Sequence, residues 1–165
     1  MSTKMLVTVV IGFFLVTVGL VFVFSAGQKP SPAAASFSAQ DVDRPKAETT
    51  QTFFDLGEIK VSDVKQQDFT LKNTGSKPLQ ILNINSSCNC TFGQVVYKDL
   101  ISNEYGMHDQ SGYVTEITPG EIATIRVIYK PFLMPVYGFV EREVYITTND
   151  PARQKITFSV KAKVK

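Results

Sequence analysis

The sequence predicts an all-β protein, an immunoglobulin-like β-sandwich of about seven strands preceded by one N-terminal transmembrane helix. One uninterrupted apolar segment opens the chain, and short runs of alternating apolar and polar residues follow it. Turn residues separate these runs at the regular spacing that is typical of a sandwich. The 165 residues therefore divide into a signal anchor at 1–24, a linker at 25–50 and an immunoglobulin-like exported domain at 51–165.

The composition excludes several classes of function. Hydrophobic residues make up 44% and charged residues 19% of the chain, which is typical of a folded protein rather than a disordered one. The formal net charge of +2 is too balanced for a protein that neutralises phosphates, so nucleic acid is not expected as a partner. His108 is the only histidine, which argues against histidine-rich metal centres. We expect no cofactor and no small-molecule substrate.

Residues 5–24 contain no charge and no proline. A helix of this length is about 30 Å long and matches the hydrocarbon core of a bilayer. Cleavable signal peptides usually have a shorter apolar region, so the length favours a retained anchor, although the small residues Ser25 and Ala26 leave cleavage open. Lys4 precedes the segment and predicts a cytoplasmic N-terminus, with the remaining chain across the membrane.

Thr8, Gly12 and Gly19 fall close to one face of this helix. Small residues permit close packing between membrane helices, so this face is a candidate for contact with a partner helix. The alternative is that glycine is simply common in membrane spans.

Residues 25–50 are rich in Pro, Ala, Ser, Gln and Thr and have no apolar period. This composition predicts an extended, mobile linker that holds the next domain away from the bilayer.

The clearest strand is the last, where apolar residues from Ile156 to Val164 alternate with polar residues that include four lysines. The lysines predict an edge strand protected from aggregation, and the alternative is a surface for anionic lipid headgroups. In the run that begins at Leu79, the inward set shifts from Leu79 and Ile81 to Leu82 and Ile84, which predicts a β-bulge. The other predicted strands are Asp68 to Lys72, Leu79 to Ile84, Ile122 to Tyr129 and Val140 to Thr147.

Five short blocks occur in a fixed order along the domain. They are Phe53-Phe54-Asp55-Leu56-Gly57-Glu58-Ile59, Phe69-Thr70-Leu71-Lys72-Asn73-Thr74-Gly75 with Pro78-Leu79, Ser87-Cys88-Asn89-Cys90-Thr91, Ile117-Thr118-Pro119-Gly120-Glu121 and Thr147-Thr148-Asn149-Asp150-Pro151. Over 53–165 the chain resembles the exported bacterial domain-of-unknown-function family fifteen seventy-three, related to Hydin-like and major-sperm-protein-like immunoglobulin folds. The resemblance implies a binding or scaffolding module without established catalytic residues. It also implies a bacterial cytoplasmic membrane, crossed once, with the domain on the periplasmic or extracellular side.

The sequence departs from this family between Thr91 and Pro119, where the connection is longer than usual. Long connections are commonly functional, and tyrosine is enriched at interface hot spots. We therefore predict a partner-docking loop, with a simple insertion as the alternative. Its candidate partner-binding residues are Tyr97, Leu100, Ile101, Tyr105, Met107, His108 and Tyr113.

Cys88 and Cys90 are the only cysteines, and three interpretations stay open. They share the parity of Ile84 and Phe92, which favours free thiols packed in the core. A disulfide requires a tight turn at the intervening residue, because extended residues i and i+2 lie about 6.6 Å apart at Cα; such a bridge suits redox chemistry. Two thiolates, with Met107 or His108, are also a weak candidate for copper.

The sequence thus predicts a non-enzymatic, membrane-anchored accessory or scaffolding subunit. Its exported domain is expected to bind a membrane protein within a larger membrane complex, and residues 5–24 to contact the lipid bilayer. The alternative is a thiol-redox or copper-handling protein that uses Cys88 and Cys90.

Overall fold

The computed structural model describes residues 2–26 and 32–165, which fall in two compact units, Met1–Pro32 and Ala33–Lys165. The first unit contains α1, Thr3–Ala26. Residues 3–25 are long and apolar enough to cross a membrane. Within this helix the Thr8 hydroxyl donates a hydrogen bond to the Lys4 carbonyl at 2.9 Å. The part of the predicted linker at 27–31 lies outside the described residues.

The second unit is built from ten strands, of which seven contain seven residues or more. The seven long strands are β2 Phe53–Ile59, β3 Lys65–Asn73, β4 Leu79–Ser86, β5 Thr91–Tyr97, β8 Ile122–Tyr129, β9 Gly138–Thr148 and β10 Lys155–Val164. The three short strands are β1 Ala47–Glu48, β6 Leu100–Ile101 and β7 Thr115–Ile117. A single 3-10 turn, Pro131–Leu133, is the only helical element described after α1.

The strands form two five-stranded sheets, in the orders β1-β3-β8-β5-β6 and β2-β10-β9-β4-β7. Neighbouring strands are antiparallel except β2 and β10, which are parallel. Side chains from both sheets meet in the core, where the rings of Phe69 and Phe158 lie 5.2 Å apart. The predicted all-β sandwich is confirmed.

The predicted β-bulge is also confirmed, because the pairing of β4 with β9 shifts register between Ile81 and Asn83. Ile81 and Ile84 are both fully buried on either side of this shift. An extra residue at this point brings Ile84 onto the inward face, as the change of apolar phase indicates.

The prediction that the lysine-rich final strand is an edge strand is wrong. β10 lies between β2 and β9, and β2 forms the edge. The lysines belong to the outer face of an interior strand, where Lys163 pairs with Glu58 of β2 at 2.8 Å. Periodicity along one strand reports which face is wet, whereas its position in a sheet depends on partners distant in sequence.

The domain begins earlier than the predicted boundary at residue 51. The Ala35 amide donates to the Gln80 side chain at 2.8 Å, and Arg44 pairs with Asp150 at 2.8 Å. Much of the predicted linker therefore packs on the sandwich, because buried polar side chains there bind its backbone and its arginine. We call this part of the domain, around Gln80, Asn149 and Asp150, the tether end.

The predicted long loop after Thr91 begins and ends in strands and contains a short third one between them. β5 occupies 91–97 and lies between β8 and β6. Tyr105 then forms a bridge with Gly93, with both backbone hydrogen bonds at 2.9 Å. The segment follows the sheet because its backbone groups pair with those of β5. Apolar alternation along the sequence does not indicate this pairing.

Candidate functional site

The two cysteines lie in the turn that joins β4 to β5, and they are bonded to each other. The turn is closed by the Thr91 amide, which donates to the Cys88 carbonyl at 3.2 Å. The buried Ser86 hydroxyl lies 2.6 Å from the Thr91 carbonyl and 2.9 Å from the Cys88 carbonyl. The tight turn at Asn89 that a bridge requires is therefore present, and it brings the two Cα atoms to 5.3 Å.

The interpretation of the cysteines as free core thiols is wrong, because both are in the disulfide. Cys90 is fully buried, whereas Cys88 is only partly buried. Cys88, Cys90 and Phe92 do not share one inward face, because the turn shifts the alternation of inward and outward residues. On β5 the buried residues are Thr91 and Gly93, while Phe92 is only partly buried. Closing a loop of three residues contributes only about 1.6 kcal/mol in the chain-entropy model, half of what a 15-residue loop gives.

Hydrogen-bond donors surround the Cys88 sulfur. The Cys90 amide donates to Cys88 Sγ at 3.2 Å. The Thr91 hydroxyl lies 3.4 Å from Cys88 Sγ and 3.9 Å from Cys90 Sγ, and it is the donor because a disulfide sulfur carries no hydrogen. Donors in these positions stabilise negative charge that develops on a sulfur when the bond opens.

The disulfide belongs to a small hydrophobic cluster separate from the main core. Its buried members are Ile59, Cys90, Tyr129, Val140, Ala162 and Val164, and Cys88 packs against them. The Lys130 amide donates to the Cys90 carbonyl at 2.8 Å and ties the end of β8 to the turn. We call this region, around the Cys88–Cys90 turn, Tyr129 and Val140, the disulfide end.

Two buried polar atoms at this end, the Tyr129 hydroxyl and Arg142 Nε, lack a hydrogen-bond partner among the described residues. The Arg142 guanidinium carbon lies 5.7 Å from the centre of the Tyr129 ring. Burial raises the pKa of the Tyr129 phenol, and Arg142 offsets part of that shift, so the phenol keeps its proton at neutral pH. This end thus holds an inward-facing cation next to a neutral hydroxyl.

An exposed apolar segment at the same end, residues 131–139, consists of the connection from β8 to β9 and the first two residues of β9; we call it the apolar loop. Tyr137 is 67% exposed and Phe139 is 72% exposed. The loop is shaped by two prolines and by the amides of Leu133 and Met134, which donate to the Lys130 and Pro131 carbonyls at 3.1 and 3.2 Å. Its exposed large side chains are Phe132, Leu133, Met134, Val136, Tyr137 and Phe139.

The lysines beside this loop are only partly neutralised. The ammonium groups of Lys161 and Lys163 lie 5.2 and 5.8 Å from the centre of the Phe139 ring. Lys163 and Lys165 both pair with Glu58, and these two ammonium groups lower the pKa of Glu58 to about 2. One carboxylate is shared by two of the three lysines, so the rim of the apolar loop is positive.

The seven residues predicted to bind a partner do not form one surface. Tyr97 is a core residue on β5, 8% exposed, whose hydroxyl bonds Thr118 at 3.1 Å and Glu121. It is therefore removed from the predicted docking surface, because its ring faces the opposite sheet. Leu100 and Ile101 are exposed on β6, beside the end of β5.

The remaining predicted residues lie further along the chain. Tyr105 is partly buried against the main core, and Met107 and His108 are exposed in the turn that follows. Tyr113 is partly buried, and burial raises its pKa. A partner-binding role for these exposed residues stays a prediction.

Within the described residues, no group of three or more histidine, cysteine, aspartate or glutamate side chains converges on one point. The sulfurs of Cys88 and Cys90 are bonded to each other, so a copper ion requires the reduced pair. The copper hypothesis stays a prediction.

Two features of the disulfide end were not found from the sequence, although each had a signal. Residues 131–139 form a run of large apolar side chains with prolines and no strand period, which is unusual on a surface that has no function. Arg142 occupies the inward parity of Val140, Val144 and Ile146 on β9, so a charge interrupts a buried series.

Comparison with known proteins supports the fold. No curated protein matches the sequence. A protein of unknown function from Porphyromonas gingivalis W83 is 18% identical, with a TM-score of 0.57 over 74% of this chain and 48% of that chain. A family 123 glycoside hydrolase from Clostridium perfringens is 14% identical, with a TM-score of 0.51 over 69% of this chain and 23% of the hydrolase. The ASH / PapD-like domain of human CEP192 is 11% identical, with a TM-score of 0.46 over 82% of this chain and 98% of that chain.

The chain spans about half the length of the Porphyromonas protein, so the likeness establishes the shared sandwich and nothing of either protein's activity. A family model described as a protein of unknown function, DUF1573, matches residues 47–107. This match includes β3, β4, the disulfide turn and β5. It confirms, over residues 47–107, the resemblance seen in the sequence.

Proposed function

We propose that this protein is a membrane-anchored, non-catalytic binding subunit whose apolar loop docks on another protein of a membrane complex. The exposed side chains of residues 131–139 carry this proposal. α1 supplies the anchor in a bacterial cytoplasmic membrane, with the sandwich on the periplasmic or extracellular side.

The chemistry of the loop is that of a protein interface. Aromatic residues and methionine are enriched where proteins meet, and the loop combines Phe132, Met134, Tyr137 and Phe139. Pro131 and Pro135 restrict its backbone before binding, so a partner orders less of the chain on association. Contiguous apolar surface of this kind marks an interaction site.

The charges around the loop indicate what a partner carries. Lys163 and Lys165 share the single carboxylate of Glu58, and Lys161 lies against the Phe139 ring, so the rim is positive. An aromatic surface with a positive rim suits the apolar patch of a protein whose own rim is acidic.

The position of the loop leaves it open to a partner. β9 begins at the loop with Gly138 and ends at Thr148 beside the tether end. Its 11 residues separate the two ends of the sandwich by about 35 Å. A protein docked at the loop therefore does not compete with the segment that joins the domain to α1.

Photo-crosslinking in native membranes tests the proposal. A photoreactive phenylalanine analogue replaces Phe139 in the full-length protein, and a second chain carries it at Ile122, which is 54% exposed at the end of β8 opposite to Tyr129. We expect a light-dependent adduct with a different protein from position 139 and none from position 122. Mass spectrometry of the adduct identifies the occupant.

One further chain tests the specificity of that adduct. Phe132→Ser with Tyr137→Ser in the position-139 chain should abolish it, because these substitutions remove much of the exposed apolar surface. Adducts formed only with lipid, only with a second copy of this chain, or equally from both positions would refute docking of another protein at the loop.

A further inference from the structure

We propose that the Cys88–Cys90 disulfide exchanges with a cysteine thiolate of the protein docked on the apolar loop and links that protein covalently and reversibly to Cys88. This inference rests on the proposed function and specifies the partner as a protein with an accessible cysteine thiol.

The two sulfurs differ in access, which assigns the direction of attack. Cys88 is partly buried, whereas Cys90 is fully buried in the small cluster. Thiol–disulfide exchange depends on which sulfur the incoming thiolate reaches. Cys88 is therefore the attacked sulfur, and Cys90 is the sulfur that leaves and later returns.

The exchange conserves atoms and electrons without another reagent. The partner thiolate forms a bond to Cys88 Sγ while the bond between the two protein sulfurs breaks. The electron pair passes to Cys90 Sγ, which takes up one proton from solvent. In the reverse step the Cys90 thiolate attacks Cys88 Sγ and releases the partner thiolate, so no net oxidation occurs.

The turn supplies donors for both directions. The Thr91 hydroxyl, 3.9 Å from Cys90 Sγ and 3.4 Å from Cys88 Sγ, lies within reach of whichever sulfur carries charge. The Cys90 amide donates to Cys88 Sγ at 3.2 Å. Hydrogen bonds to a thiolate stabilise it relative to the thiol.

An inward-facing cation lies on the same side of the domain. The Tyr129 ring packs in one cluster with Cys90, and the Arg142 guanidinium carbon lies 5.7 Å from the centre of that ring. A positive charge close to a thiolate stabilises it, so Arg142 favours the charge that appears when the bond opens.

The apolar loop positions a partner at this disulfide. The residue before the loop, Lys130, bonds the Cys90 carbonyl, and the residue after it, Val140, packs in the cluster with Cys90. A protein held on the loop is therefore held next to the turn, which raises the effective concentration of its thiol.

The first test needs no substitution. The full-length protein in lipid nanodiscs is equilibrated with mixtures of reduced and oxidised glutathione at a series of ratios. The samples are quenched with acid, and free thiols are labelled with a maleimide that shifts the mobility of the protein on a gel. We expect half-reduction within the glutathione series, because an exchanging disulfide must open in that range. A bond that stays oxidised at the most reducing ratio would refute the proposal.

The second test compares the two single-cysteine chains. Cys90→Ser leaves the Cys88 thiol, and Cys88→Ser leaves the Cys90 thiol. Oxidised glutathione should form a mixed disulfide with Cys88 at least about tenfold faster than with Cys90, because access and thiolate stabilisation favour Cys88. Equal or reversed rates would refute the assigned direction, and circular dichroism checks that both chains are folded.

The third test separates this inference from the proposed function. Two ten-residue peptides carry one cysteine each, flanked by leucine and phenylalanine or by serine and glutamine. Exchange with the apolar peptide should be faster, and Phe132→Ser with Tyr137→Ser should remove that advantage while Ile122→Ser retains it. Equal rates for the two peptides would refute loop-directed exchange.

Non-covalent binding is measured on a chain with Cys88→Ser and Cys90→Ser, by using a cysteine-free form of the apolar peptide. Binding by this chain without exchange in the wild type would refute the redox inference and leave docking intact. Loss of both binding and exchange in a folded chain with Phe132→Ser and Tyr137→Ser would show that exchange depends on docking, as proposed.

Discussion

The tether end and the disulfide end of the sandwich use buried polar groups in opposite ways. At the tether end, Asp150 accepts hydrogen bonds from Arg44 at 2.8 Å, from the Ala47 amide at 2.9 Å and from the Ala152 amide at 3.0 Å. At the disulfide end, the Tyr129 hydroxyl and Arg142 Nε have no partner among the residues that the structure describes. The Asp150 carboxylate is thus satisfied by the chain, whereas these two atoms are not.

Asn73 and Asn149 extend the satisfied network of the tether end. The Asn73 amide donates to the Lys77 and Ile117 carbonyls at 2.8 and 2.9 Å, and the Asn149 oxygen accepts from the Gln80 amide at 2.8 Å. Fully bonded polar groups fix one arrangement of the chain. The comparison teaches that the tether end stabilises the fold, whereas the disulfide end contains the groups on which the proposed contact with a partner depends.

The largest expected effect is at the tether end. Asp150→Ala leaves Arg44 buried without its partner, and breaking such a pair costs about 3–5 kcal/mol of unfolding free energy. Denaturant titration of the full chain measures it. The matched control is Asp68→Ala, which removes a carboxylate paired with Arg126 but 49% exposed, and should cost about 1 kcal/mol or less. Similar losses for both would contradict the comparison.

Removal of the hydroxyl group should lower the stability of the protein at Tyr97 but not at Tyr129. Tyr97→Phe removes the hydrogen bonds to Thr118 and Glu121 at the tether end and should lower the unfolding free energy by about 1 kcal/mol. Tyr129→Phe removes a buried hydroxyl without a partner and should leave stability unchanged or raise it by up to about 1 kcal/mol. Thermal unfolding of the two chains side by side measures both. A clear loss on Tyr129→Phe would show that its hydroxyl already has a stabilising contact.

The apolar loop should contribute almost nothing to folding. Phe139→Ala removes a ring that is 72% exposed, so the unfolding free energy should stay within about 0.5 kcal/mol of the wild type. The matched control within the loop is Val136→Ala, for which we expect the same result. A loss above about 1 kcal/mol for Phe139→Ala would place this ring in the fold rather than in an interface.

The smallest effect is on pH dependence beside the loop. Because the folded-state pKa of Glu58 is about 2, below its usual 4.5, its stabilising contribution is complete above about 4.5 and is lost as the pH falls through about 2. Carbon NMR of the carboxylate should show this midpoint. Lys163→Gln with Lys165→Gln should return it towards 4.5, whereas Lys155→Gln, distant on the same strand, should not.

Patterns among neighbouring residues were sufficient to locate strands and the bulge within them. Alternation located β10 and β4, and a change of apolar phase located the bulge between Ile81 and Asn83. Turn residues separated the runs correctly. β5 was missed because Gly93, on its inward face, has no side chain to add to an apolar period and lies close to Val144 and Ile84 of the other sheet.

The same patterns predicted only part of the candidate site. The sequence identified Cys88 and Cys90 and the turn that a bridge needs, but favoured free thiols because it extended strand parity through the turn. It assigned docking to a set that includes the core residue Tyr97 and overlooked residues 131–139. Side-chain type indicates the chemistry that is possible, while exposure depends on which strands cover a position.

The sequence by itself determined an apolar helix, an all-β sandwich and a pair of cysteines one residue apart, because hydrophobic period and spacing act over neighbouring residues. Only the tertiary structure decided that β2 rather than β10 forms the edge, and that residues before 51 pack on the tether end. It alone brought the disulfide, Tyr129, Arg142 and the apolar loop together. The physical reason is that pairing between strands distant in sequence fixes which groups are buried and which remain available to a partner.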